Sequence, residues 1–209
     1  MAAYYPLFFD LAGKLCVVVG GGRVAERKVH AILRSGARVK LVSPVVTKDI
    51  ARLSGEGRLE LVPREYCRGD LKGAALVFAA TDSGEVNREV REESSRLAIP
   101  LNAADNPGLC DFIVPSVVKK GPIHIAISTS GLLPMLSRKL RKEVMEALAA
   151  DYAAYARRVG TFRRLLVKTV KSGRLRREVM KRLGEADVAE VARMSPADMK
   201  RRFLGPGED

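Results

Sequence analysis

"VVVGGGRVAERK", Val17 to Lys28, sets three glycines between an apolar run and an amphipathic stretch. A chain gives up side chains at such a junction for one of two reasons. Either the backbone turns too tightly for a Cβ, or an anion must come close to bare amides. Just upstream, "KLCVVV" (14–19) reads as a buried strand. Downstream, Ala25, Val29, Ile32 and Leu33 repeat on one helical face, and Gly36 stands where a C-cap glycine belongs. Gly20-x-Gly22-x-x-Ala25 is therefore a G-x-G-x-x-G/A pattern between a strand and a helix. There the first glycine makes the turn and the second admits a pyrophosphate. The small third residue lets helix and strand pack closely. The pattern predicts a dinucleotide site across Gly20, Gly21, Gly22, Arg23 and Val24.

The same alternation continues outward. "ARVKLVS" (37–43), "LELVP" (59–63), "AALVFAAT" (74–81) and "IPLNAAD" (99–105) read as further strands, and "GEVNREVREESSRLA" (84–98) as a polar-faced helix. Strands apolar on both faces and separated by helices predict an α/β class, a Rossmann-like doubly wound parallel sheet over 1–112. Beyond it, "FIVPSVV" (112–118) and "PIHIAIS" (122–128), joined by "KKG", predict a β-hairpin, which needs a partner surface. From Leu136 the chain reads as helix, with Leu140, Val144, Ala147 and Leu148 as an apolar stripe. Short helices broken at Gly160, Gly173 and Gly184 complete a small helical C-terminal domain.

Composition sets the class. The 209 residues are 47% hydrophobic and 29% charged, which reads as a folded, soluble chain. No apolar run reaches the roughly 18 residues of a membrane span. "MAAYYPLFFDLAGK" has no basic leader and is interrupted by Pro6 and Asp10, so no signal peptide is expected. Cys16, Cys67 and Cys110 form no CxxC pair, the pattern of a reducing, cytoplasmic compartment. The net charge of +13 concentrates in residues 138–209. Such a balance fits an acidic partner (nucleic acid, membrane surface or a polyanionic small molecule) or simply a solvated basic surface.

The usual acid closing the second strand of a dinucleotide fold is absent. That strand ends in Val42, Ser43 and Pro44. Ser43 can hydrogen-bond a ribose and would not repel a 2′-phosphate, so the residues alone leave NAD and NADP open. Ligands bind at the carboxyl ends of such strands, which brings in Thr81 at the end of the fourth strand and Asn102, Asp105, Asn106 and Asp111 at and beyond the end of the fifth. Asp105 is the strongest of these, because it follows its strand directly. His30 and His124 read as packed or surface residues, and Cys110 as a structural thiol. There is no zinc spacing, no P-loop and no nucleophile elbow. No metal site is expected.

Four segments, "YPLFFDLAGKLCVVVGGGRVAERKV", "VFAATDSGEVNREV", "IPLNAADNPGLCDFIVPSVV" and "IHIAISTSG", run in order to about residue 145. Together they resemble the precorrin-2 dehydrogenase family, of the siroheme synthase N-terminal type. The resemblance implies an oxidoreductase that uses NAD to oxidise precorrin-2 to sirohydrochlorin, with contacts carried onto Arg23, Val24, Pro44 and Val45. It places the family's essential aspartate on Asp105. Some members also insert ferrous iron, with the same aspartate implicated. It further implies a homodimer through an intertwined region, here 113–146, followed by a helical domain, 147–209. The substrate is a tetrapyrrole polycarboxylate, for which a basic protein is a sensible host, and Ser128, Thr129 and Ser130 are candidate donors to it. One departure is Leu133-Pro134 where the family has Ser-Pro, which removes a capping hydroxyl. The competing reading is an NAD-responsive regulator with a basic nucleic-acid-binding tail. Against it, the tail has no clear helix-turn-helix and almost no aromatic residues for stacking.

Overall fold

The first five strands pair side by side in the order β3-β2-β1-β4-β5, all parallel. They are β1 (Leu15–Val19), β2 (Arg38–Val42), β3 (Glu60–Val62), β4 (Leu76–Ala79) and β5 (Leu101–Ala103). The computed structural model describes residues 4–104 and 106–205, and its contacts divide the chain after Val114 into two compact units. The sequence alone predicts boundaries after 112 and 146.

In the first unit the sheet separates two apolar layers. Successive side chains of a strand point to opposite faces, so β1 contributes Cys16 and Val18 to one layer and Val17 and Val19 to the other. The first layer is closed by α1 (Arg23–Leu33) through Ala25, Val29 and Ile32, and by α2 (Lys48–Gly55) through Ile50 and Leu53. The second is closed by Val90 of α3 (Gly84–Arg96) together with Leu71. Full burial of each Val or Leu contributes about 1.5–3 kcal/mol. Burial pushes the Cys16 thiol up to about 11.

Helix α2 was not predicted. It is short, but Thr47 caps it by accepting from the Ile50 amide, and Ile50 and Leu53 are both fully buried. Helix α3 is capped by Ser83, and two of its polar residues, Glu93 and Ser94, are buried along with Val90.

In the second unit, β6 (Ser116–Lys120) and β7 (Ile123–Ile127) form the expected antiparallel hairpin, in a shifted register. Lys119 and Lys120 belong to the strand, and the turn is Gly121-Pro122, with Gly121 at φ +58°. Helices α4 (Pro134–Ala147), α5 (Ala150–Thr169), α6 (Gly173–Glu185), α7 (Val188–Arg193) and α8 (Pro196–Phe203) follow. Gly160 does not break a helix, because it lies inside α5. Gly184 likewise falls within α6, and Gly173 opens that helix behind its Ser172 cap. Phe162, Leu166, Val179, Leu183, Met199 and Phe203 form the core of this helical part. Arg158 ties it across the chain by donating to the carbonyls of Ala192 and Met194, both at 2.6 Å. Among the described residues, no helix is long and apolar enough to cross a membrane.

Candidate functional site

The glycine turn sits at the carboxyl end of the central strand β1 and lines a cleft of about 610 Å³. The three glycines have different reasons to be there. Gly20 has φ +112°, and a Cβ on it would lie 2.2 Å from the Ala80 carbonyl oxygen. A Cβ on Gly21 would lie 2.0 Å from the Val45 carbonyl oxygen. Those two make the turn and the close approach to neighbouring backbone. Gly22 is different: a Cβ there would meet nothing within 4 Å. It borders open space in the cleft.

Gly22 is also the N-cap of α1, and no side chain caps that end. The amides of the first turn thus lack the side-chain acceptor that Thr47 and Ser83 supply to α2 and α3. An uncapped helix start beside open space suits a phosphate, through its amides and the helix dipole. The residues present fit a dinucleotide pyrophosphate.

Of the residues singled out in the sequence, Gly20, Gly21, Gly22, Arg23, Val24, Ser43, Pro44, Val45 and Thr81 all line this one cleft. Ser43 is nearly buried and its hydroxyl donates to the Val45 carbonyl at 2.7 Å, so only its lone pairs are available to a ribose. Thr81 Oγ1 accepts from the Ser83 amide at 2.8 Å.

Asn102 is not among the cleft-lining residues. Its amide carbonyl accepts from Lys28 Nζ at 2.9 Å, and its NH₂ group donates to the Phe112 carbonyl at 2.9 Å. It braces the end of β5 against the segment that returns at 110–112. Cys110 helps, accepting from the Ala103 amide at 3.2 Å. Asp111 accepts from Arg91 at 2.7 Å and from the Leu101 amide at 2.9 Å, again a structural brace. Asp105 lies outside the described residues. It is three positions past Asn102 and two before Pro107, which opens a short 3₁₀ turn.

Ser128, Thr129 and Ser130 follow β7 in the second unit. Ser128 Oγ accepts from the Ser130 amide at 3.0 Å, and Ser130 has φ +52°, an uncommon conformation for a residue with a side chain. Thr129 Oγ1 accepts from the Leu133 amide at 3.2 Å and lies 3.2 Å from the Ser137 hydroxyl. Leu133 itself caps nothing, as its sequence implied. Thr129 takes over the satisfaction of that backbone.

Several cleft residues were not anticipated, chiefly Glu65, Tyr66, Val46, Thr47, Asp82 and Ser83. Tyr66 and Glu65 come from the loop after β3, which two buried carboxylates organise. Glu93 accepts from the Tyr66 hydroxyl and from the Gly69 amide. Asp70 accepts two bonds from Arg64, each 2.8 Å, and others from Lys40 and the Cys67 amide. The Arg64 hydrogen bonds hold the Asp70 carboxyl well below the usual carboxylate range. Burial, and then the Glu93 carboxylate, push the Tyr66 phenol far up, so it stays protonated. The available signal was the rule that ligands gather at strand carboxyl ends, applied to β3 as well.

A parallel sheet in this order, with a glycine turn and an uncapped helix at the end of its central strand, defines a dinucleotide-binding Rossmann domain. A family model described as "Putative NAD(P)-binding" matches residues 7–116, more than half of the chain, and the chain belongs to that family. It is similar to a siroheme synthase of Thioalkalivibrio sulfidiphilus, 37% identical over 201 residues, covering 96% of this chain and 41% of that protein. A siroheme synthase of Methylobacillus flagellatus is 40% identical over 172 residues, covering 82% of this chain and 37% of its own length. The chain thus spans about two-fifths of the length of the curated relatives it matches. Among solved structures, "SirC, precorrin-2 dehydrogenase" shares the fold, with a TM-score of 0.79, 22% identity, and coverage of 96% of this chain and 99% of that one.

Proposed function

We propose that this chain is an NAD-dependent oxidoreductase that dehydrogenates precorrin-2 to sirohydrochlorin, acting on the CH–CH type of bond in siroheme synthesis. The observation that carries the reading is Gly22, open to the cleft at the uncapped start of α1, in a chain whose curated relatives are siroheme synthases. Those relatives favour an enzyme over a nucleic-acid-binding regulator.

Bound NAD supplies a nicotinamide that accepts a hydride. The chain's own residues do the rest. Gly20–Gly22 and the first amides of α1 hold the pyrophosphate, with Arg23 and Val24 beside it. Ser43, Pro44 and Val45 bound the adenosine end. Asp105, following β5, takes or steers the proton released from the ring. Ser128, Thr129 and Ser130 serve the substrate carboxylates. The same reading includes a homodimer through residues 113–146 and a cytoplasmic location.

The test is anaerobic incubation with precorrin-2 and NAD, following tetrapyrrole absorbance and NADH formation together. Turnover is expected. A folded protein that binds NAD but never reduces it in the presence of precorrin-2 would refute the assignment.

A further inference from the structure

The adenosine end of the cleft raises a question of charge. Dinucleotide folds that take NAD normally end their second strand in Asp or Glu, which accepts from the ribose hydroxyls and repels a 2′-phosphate. Here that place holds Ser43, whose own proton is spent on the Val45 carbonyl.

The sheet brings a substitute. Strand β3 lies beside β2, and the Ser43 amide donates to the Val62 carbonyl at 3.2 Å, so the two strands end together. Three residues past Val62, Glu65 lines the same cleft as Ser43, Pro44 and Val45. Its backbone is held on both sides. Arg64 Nη1 donates to the Glu65 carbonyl at 2.8 Å, while the neighbouring Tyr66 is buried with its hydroxyl on Glu93. The Glu65 side chain is exposed, and among the described residues its carboxylate has no hydrogen-bond or ion-pair partner.

Two cations, one in this loop and one on β2, are committed to Asp70. Arg64, the residue before Glu65, forms a two-pronged pair with Asp70, and Lys40 donates to the same carboxylate. Glu65 is what remains: an unpaired carboxylate on a braced loop, beside the end of β2. A third charge, Arg23, opens α1 on the phosphate side of the cleft.

We infer that Glu65 is the specificity-determining residue of the nucleotide site, supplying from the loop after β3 the ribose-binding carboxylate that β2 lacks, and so selecting NAD against NADP. This rests on the reading of the cleft as an NAD site and adds the residue that makes the choice.

The experiment measures NAD and NADP dissociation constants by titration calorimetry on the full chain, for wild type, Glu65→Gln and Glu65→Lys. Circular dichroism checks folding, which an exposed position should preserve. Wild type should bind NAD more tightly than NADP. Glu65→Gln should weaken NAD by about tenfold, the scale for losing a hydrogen bond to a charged group. Glu65→Lys should tighten NADP by about tenfold through the new charge-assisted contact and reverse the preference. If both variants keep the wild-type ratio, Glu65 does not read the ribose and the inference fails while the NAD site stands. Wild type that favours NADP overturns the inference directly. Wild type that binds neither nucleotide overturns the NAD reading as well.

Discussion

A Cβ placed on Gly21 would lie 2.0 Å from the Val45 carbonyl oxygen, whereas one on its neighbour Gly22 would meet nothing within 4 Å. Adjacent glycines in one motif therefore answer to different constraints, and mutations should separate them. Gly22→Val should fold normally and lose NAD affinity, because its side chain fills the space a pyrophosphate needs. Gly21→Ala should instead lower the melting temperature, since backbone must shift to admit it. Calorimetric titration and thermal melts of both variants check this. Unchanged NAD affinity in Gly22→Val would remove the main support for the site.

Asp105→Asn is expected to reduce dehydrogenation by about 10²-fold or more, the usual scale for losing a general base. NAD binding should barely change, because the proposed phosphate site is the glycine turn. If Asp105 only shapes the turn before Pro107, Asn would serve as well and turnover would stay near wild type. Steady-state rates with precorrin-2 distinguish the two.

Asp70 couples stability to pH. Its hydrogen bonds from Arg64, then those from the Cys67 amide and Lys40, depress its folded-state pKa below the unfolded value near 3.9. Its contribution is therefore fully present above about pH 5 and is lost as the pH falls through the lower, folded-state value. Asp70→Asn should cost about 3 kcal/mol at pH 7, the low end for breaking a buried pair because Arg64 is half exposed. Denaturant melts should show the gap between wild type and variant narrowing below about pH 4. A gap independent of pH would mean the loop is held by packing.

A homodimer built on 113–146 should scatter light as twice the 22.8 kDa chain. The apolar surface there needs cover: Leu132 is 70% exposed, Met135 75% and Val117 44%. A fully active monomer would show that these side chains work uncovered.

Substrate affinity should fall with added salt more steeply than NAD affinity. A polycarboxylate is drawn by the net charge of +13, which the ions screen. NAD affinity should fall less, since in the proposed site directional amide contacts hold its pyrophosphate. Equal salt slopes, measured from KM for precorrin-2 and from NAD titrations at several ionic strengths, would mean the positive field is not aimed at the substrate.

The parallel sheet, the glycine turn and most of the cleft-lining residues named beforehand are legible in the sequence alone. These follow from consecutive residues: the two-sided apolar runs of β1 and β4, the helical period after Gly22, and the strand-end position of Thr81. What depends on which strands are neighbours is legible only in the folded chain. Gly21 is needed because β2 returns beside β1 and brings the Val45 carbonyl against it. Glu65 and Tyr66 reach the cleft because β3 pairs with β2. Glu93 looks like one of many surface acids, yet it is buried because the loop after β3 offers it a hydroxyl and an amide. Asn102 reads in sequence as a ligand contact at a strand end, and only the fold shows that Lys28 and the Phe112 carbonyl, from distant parts of the chain, hold its side chain. Local periodicity records which way a side chain points, but the partner it meets there is set by pairings between residues far apart in sequence.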